Sequence, residues 1–229
     1  MLLVILDNLK KIQYRIASAA QKAGRNPAEI SIVIVTKYAP LDRIREVLSS
    51  GLVHEVGENR VQDAAAKKEA LGDQAKTVRW RLIGHLQTNK ARLAAQTFDA
   101  VDSVDSLRVA AALDAACAAQ KKTMPVLIQV KLTDKQTQAG AALEEVPELL
   151  EGLKAFPNLQ ARGLMAIAPD LEPVELVRPH FKKMRQAFDL IFAKSPNAQL
   201  SMGMSRDFET AVEEGATHLR LGSVVFTEQ

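Results

Sequence analysis

Short apolar runs alternate with longer amphipathic segments along almost the whole chain, and this alternation constrains the fold more than any single motif. The runs lie at 31–36 (SIVIVT), 53–56, 78–83, 98–101, 125–130, 161–166, 199–202 and 218–221. Helical periodicity fills 41–50, 59–70, 87–95, 105–121, 143–154, 174–193 and 206–214, and a further amphipathic helix at 3–24 precedes the first run. Strands that alternate with helices are joined by crossovers and so build a parallel sheet. The runs at 31–36 and 125–130 are apolar without alternation, as in strands buried on both faces. Eight such units in 229 residues predict a (β/α)8 TIM barrel with an additional N-terminal helix. A doubly wound open sheet is the alternative, but no Gly-x-Gly-x-x-Gly follows the first strand. Asp105 and Ser205 stand where the helices that follow them would be capped.

The chain reads as one domain over 1–229, because no linker interrupts the alternation and an apolar content of 47% fills a single core. The three prolines of 168–179 mark a surface loop after the sixth strand. A net charge of +3, from 30 basic and 27 acidic residues, gives no reason to expect nucleic-acid or membrane partners. Cys117, the one cysteine, lies in an Ala-rich helical segment and is expected as a buried thiol in a reducing compartment. The four histidines show no metal-binding spacing, and no run approaches 18 uncharged apolar residues, so a cytoplasmic protein without a metal site is expected.

In a barrel the carboxyl ends of all strands meet at one mouth. Lys37 stands at the end of the first strand, where an amine can meet a carbonyl. Asn59 follows the second strand, either as a polar cap or as a ligand neighbour, and His85 follows the third. After strands seven and eight, SMGMSRDFE (201–209) and RLGS (220–223) each place a glycine and a serine before a helix, which offers N–H groups and a hydroxyl to a phosphate. Amine and phosphate cradle together suit a phosphate-bearing aldehyde such as pyridoxal 5′-phosphate. A sugar-phosphate aldolase with an imine-forming lysine, or non-covalent phosphate binding, meets the same conditions. Arg220, two residues before Gly222, can approach a pyridine nitrogen and discourage its protonation, which weakens carbanion chemistry.

The blocks VTKY (35–38), GENRVQ (57–62), IGHLQTNK (83–90), SVDS (103–106), GLMAIAP (163–169), SMGMSRDFETAVEEGAT (201–217) and RLGS (220–223) resemble those of the pyridoxal-phosphate homeostasis proteins. Those proteins are similar to the barrel domain of alanine racemase. The resemblance implies a fold-type III barrel that carries pyridoxal phosphate on Lys37 as an internal aldimine. It further implies Arg220 near the ring nitrogen, Ser205, Gly222 and Ser223 on the phosphate, Asn59 beside the cofactor, and Met202, Gly203 and Met204 as wall and loop. The implied role is vitamin B6 homeostasis, by buffering the cofactor or delivering it to apo enzymes that use it, without robust turnover and as a monomer. A racemase of low activity is the enzymatic alternative, although no second acid–base group is evident: Tyr14 belongs to the leading helix and Tyr38 adjoins the lysine. A scaffold with a structural cofactor is a third reading. The chain departs from the family pattern in the 131–140 loop, where Lys131 replaces an asparagine and Asp134, Gln138 and Gly140 stand in for an acidic residue and a Lys-Gly pair. It also carries Arg81 where histidine is common and Phe226-Thr227 near its end.

Overall fold

The computed structural model describes residues 2–133, 139–195 and 197–227. Asp134 and Gln138 of the divergent loop lie outside the described residues. The elements run α1 (Leu2–Lys22), β1 (Ser31–Val35), α2 (Leu41–Ser49), β2 (Glu55–Glu58), α3 (Val61–Leu71), β3 (Arg79–Leu82), α4 (Ala91–Thr97), β4 (Ala100–Val104) and α5 (Leu107–Ala118). They continue with β5 (Met124–Lys131), α6 (Val146–Leu153), β6 (Leu159–Ile167), α7 (Arg178–Phe192), β7 (Gln199–Met204), α8 (Phe208–Glu213), β8 (His218–Leu221) and α9 (Ser223–Phe226). All neighbouring strands pair in parallel in sequence order, and β1 with β8 closes the barrel. The expected architecture and leading helix are therefore present.

Alternation along the strands sorts side chains into two shells. Ile34, Val56, Trp80, Leu82, Val101, Ile128, Leu164, Leu200, Leu219 and Leu221 join the buried cluster formed with the helices. The opposite face points into the lumen. Register places Val33 beside both Glu55 and Arg220, and Arg81 beside Gly57 and Ala100. That this face is interior follows from reach: Arg81 on β3 contacts Gln199 on β7, and Arg220 on β8 contacts a carbonyl of β6.

Three strands differ from their expected limits in ways that bear on the site, the others by no more than two residues at either end. β2 begins at Glu55 because its ladder starts where Glu55 pairs with Val33. β4 runs on to Val104 and takes Asp102 and Ser103 into the barrel wall. In both, a buried carboxylate breaks the apolar pattern and is met by Arg81 from β3, the strand that lies between them. β7 extends to Met204, so Gly203 and Met204 belong to the strand.

The helix caps also differ. Ser106, not Asp105, caps α5, its hydroxyl accepting from the Val109 N–H at 3.4 Å. α8 starts at Phe208, too late for Ser205 to cap it.

α1 braces the mouth from outside. The Asn8 amide donates to the carbonyls of Val225 and Thr227, and Arg15 makes a two-pronged contact with Glu209 while lying over the Phe208 ring. The extra helix thus holds α8 and α9, the elements after β7 and β8. Cys117 is buried in α5, and burial pushes its thiol pKa up. Among the described residues no helix is long and apolar enough to cross a membrane.

Candidate functional site

Lys37 lies two residues beyond Val35 in the lumen-facing series, at the open end of β1. Thr36 is buried, whereas Lys37 and Tyr38 are exposed. The Lys37 ammonium stands 5.0 Å from the centroid of the Tyr38 ring. The Ala39 N–H donates to the Thr36 carbonyl at 3.0 Å, closing a tight turn that carries Lys37 and Tyr38 at its centre.

Across the mouth, the ends of β7 and β8 converge on one hydroxyl. Ser205 Oγ accepts from the backbone N–H of Gly222 at 3.2 Å and of Val224 at 3.5 Å. Freed from capping, this serine marks a point where two N–H groups and an O–H are aimed together, which is what a phosphate oxygen requires. Ser223 is exposed beside them. Gly222 packs against β1: a Cβ there would sit 3.3 Å from the Val35 carbonyl oxygen. This contact brings the cradle to the strand that carries Lys37.

Gly203 permits the turn into the cradle. Its φ of 91° is one that residues with a side chain rarely adopt, and a Cβ there would come within 2.5 Å of the Ala211 Cβ. The Met204 N–H donates to Asp207 Oδ1 at 2.5 Å. Burial raises the Asp207 pKa, while that N–H and the charge of Arg220 oppose the rise.

Arg220 is buried and donates to Ser201 Oγ and to the Ala166 carbonyl, each at 2.7 Å. It makes no ion pair with a carboxylate among the described residues. Burial lowers its pKa to about 10, with Asp102 and Asp207 pulling the other way and Arg81 adding to the fall. A buried guanidinium held by neutral acceptors has charge left for a ligand.

The other expected residues divide. Asn59 is half-buried, and Gly84 packs on it so closely that a Cβ at 84 would lie 2.2 Å from the Asn59 carbonyl oxygen. Met204 is 36% exposed at the mouth. Met202 is fully buried in the cluster beneath the helices, and Met165 lies on the lumen face beside Ser201. Ser201 itself went unnoticed in the sequence. Its signal was parity with Gly203, which places it inside the barrel next to Arg220.

The chain matches the family model of the alanine racemase N-terminal domain over residues 8–229. A pyridoxal phosphate homeostasis protein of Pseudomonas aeruginosa is 37% identical over 222 residues, 97% of this chain and 94% of the relative. The solved structure of PipY from Synechococcus elongatus PCC7942, with PLP bound, is 34% identical at a TM-score of 0.79 and covers 93% of this chain and 100% of its own. Alanine racemase of Clostridium difficile 630 shares the fold at a TM-score of 0.75 and 14% identity, with 56% of its length matched. By the length and identity of these matches, the chain belongs to the alanine racemase N-terminal domain family and, within it, to the pyridoxal phosphate homeostasis proteins.

Proposed function

We propose that this chain binds pyridoxal 5′-phosphate as a single barrel domain, with Lys37 as the attachment point, and that it serves vitamin B6 homeostasis by buffering or delivering the cofactor. One observation carries the reading: the strand that presents the Lys37 amine is packed against Gly222, whose N–H joins that of Val224 on the Ser205 hydroxyl. The donor set fits the cofactor. Ser205, Ser223 and the N–H groups of Gly222 and Val224 would hold the phosphate, Arg220 would serve the pyridine nitrogen, and Asn59 and Met204 would contact the cofactor beside it. Gly203 supplies the turn, and Met202 supports that wall from behind.

When bound, the cofactor supplies an aldehyde carbon and a conjugated ring. Arg220, a guanidinium with no proton to lose near neutral pH, would disfavour protonation of the ring nitrogen and so limit the ring as an electron sink. Lys37 sits on an open turn, where water and small amines reach it. Both properties suit reversible holding over turnover. Racemisation is not favoured: curated relatives matched over nearly the whole chain are named as homeostasis proteins, and the two tyrosines, Tyr14 and Tyr38, are 77% and 89% exposed. The acceptors of delivery would be apo enzymes that use the cofactor, with the donor acting as a monomer.

The test is titration of the purified protein with pyridoxal phosphate, followed by mixing with such an apo enzyme. A saturable visible band that is lost in Lys37→Ala, and activation of the apo enzyme faster than spontaneous release, is the expected result. An unchanged band in Lys37→Ala overturns the attachment point. Activation no faster than release leaves buffering and removes delivery.

A further inference from the structure

We propose that Glu58 and Lys67, neither of which reaches the mouth, are positioning residues that set the direction of the Lys37 amine. The inference rests on the reading of Lys37 given above. Lys67 projects from α3, and its ammonium donates to the Thr36 carbonyl at 2.6 Å and to Glu58 Oε1 at 2.5 Å. The Thr36 hydroxyl donates to the same carboxylate oxygen at 2.5 Å. Glu58 is fully buried, and the Lys67 side chain is 19% exposed.

The Thr36 carbonyl is the oxygen that closes the turn around Lys37 and Tyr38, since it also accepts from the Ala39 N–H. Lys67 therefore grips the first residue of the turn that carries the reactive amine. Glu58 is equally well placed on the other side: its own carbonyl accepts from the Ile83 N–H at 2.9 Å, and the next residue is Asn59. One ion pair beneath α3 thus fixes two neighbouring strand ends, one bearing Lys37 and the other Asn59.

Stability alone gives little reason for this arrangement. Glu58 belongs to the helix-facing shell, otherwise filled by residues such as Ile34, Val56 and Leu82, and its second oxygen has no hydrogen-bond donor among the described residues. A buried ion pair in such a place is generally no more stabilising than apolar side chains of the same volume. An apolar trio would lose direction, because it could not hold a carbonyl in one orientation. Direction matters to the attachment step: the Lys37 nitrogen bonds to the aldehyde carbon, and the carbonyl oxygen leaves as water with the two amine protons. Misplacement of a reacting group by about 1 Å costs on the order of a hundredfold in rate.

The test compares wild type with Lys67→Met, Lys67→Arg and the double variant Glu58→Met/Lys67→Met. Pyridoxal phosphate attachment at Lys37 is followed by borohydride quenching and peptide mass mapping. Affinity for pyridoxine 5′-phosphate, which lacks the aldehyde, is measured in parallel, together with urea unfolding. The expected result is attachment slowed about tenfold or more in Lys67→Met and in the double variant, with analogue affinity changed less than about twofold. Lys67→Arg should recover most of the rate, and the double variant should recover stability without recovering rate. The inference is overturned if the double variant restores both stability and rate, or if attachment and analogue affinity fall together in every variant. Failure of wild type to react at Lys37 while it still binds the analogue would overturn the reading of the site itself.

Discussion

Two arginines share the barrel lumen and are treated oppositely. Arg81 is caged: it donates to both oxygens of Asp102 at 2.9 and 2.8 Å, to Glu55 at 3.0 Å and to Gln199 at 2.8 Å. Burial works against its charge, but Asp102 and Glu55 outweigh burial and pull its pKa up. Arg220, at the mouth, has among the described residues a serine hydroxyl and a backbone carbonyl as acceptors, and burial drives its pKa down. The first guanidinium is satisfied by the protein and plugs the barrel. The second is held by neutral acceptors and has no carboxylate partner among the described residues, which leaves its charge for a molecule bound at the mouth.

The sharpest way to break this contrast is to remove the caged arginine. Arg81→Met leaves Asp102 and Glu55 buried without their cation and should cost about 3–5 kcal/mol of unfolding free energy in urea. A loss below about 1 kcal/mol would show that the cage is not a structural plug.

His218, on the same lumen floor, gives a prediction in pH. Its Nε2 lies 3.8 Å from Glu55 Oε2, and its Nδ1 is 2.9 Å from the Thr217 hydroxyl. Burial first, and then the charge of Arg81, lowers its pKa from 6.5 to about 4. The folded state therefore binds the proton less readily than the unfolded chain. Stability is full above about pH 6.5 and falls as pH drops toward about 4, by roughly 3 kcal/mol in all. His218→Gln should remove that part of the slope in unfolding measured from pH 7 to 4. An unchanged slope would mean that the His218 pKa does not differ between the folded and unfolded states.

Arg220→Met is expected to have the smallest effect on stability and to complete the contrast. Because this guanidinium is poorly paired, its removal should leave unfolding within about 1 kcal/mol of wild type. Binding of pyridoxal phosphate, followed by its visible band, should change in position or affinity. A stability loss as large as that of Arg81→Met would erase the distinction between the two arginines.

Much of this was legible in the sequence, and the exceptions share a cause. β1 stood out because Ile32 to Val35 are apolar on both faces, and the glycine–serine pairs of 203–205 and 222–223 drew attention to the two strand ends that meet at Ser205. β2 and β4 were misplaced because Glu55 and Asp102 look like solvent-facing residues until Arg81 is brought to them by the pairing of β3 between their strands. Ser205 looked like a helix cap, since no local pattern shows that the N–H groups of Gly222 and Val224 will reach it. Lys67 and Lys68 are adjacent and read alike as a solvated helix face, yet Lys67 reaches the Thr36 carbonyl and Lys68 that of Thr97. In each case the missing information is a contact between segments distant in the chain. The side of the barrel on which Met202 lies was legible more simply, since strand parity with Ser201 turns its side chain toward the helices.

The account turns on Lys37 as the point of attachment. The direct test is to load the protein with one equivalent of pyridoxal phosphate, reduce with borohydride, digest and map the modified peptide. The account predicts modification confined to Lys37 and suppressed by excess inorganic phosphate competing for the Ser205, Gly222 and Val224 cradle. Modification spread over other lysines, or insensitive to phosphate, would contradict it.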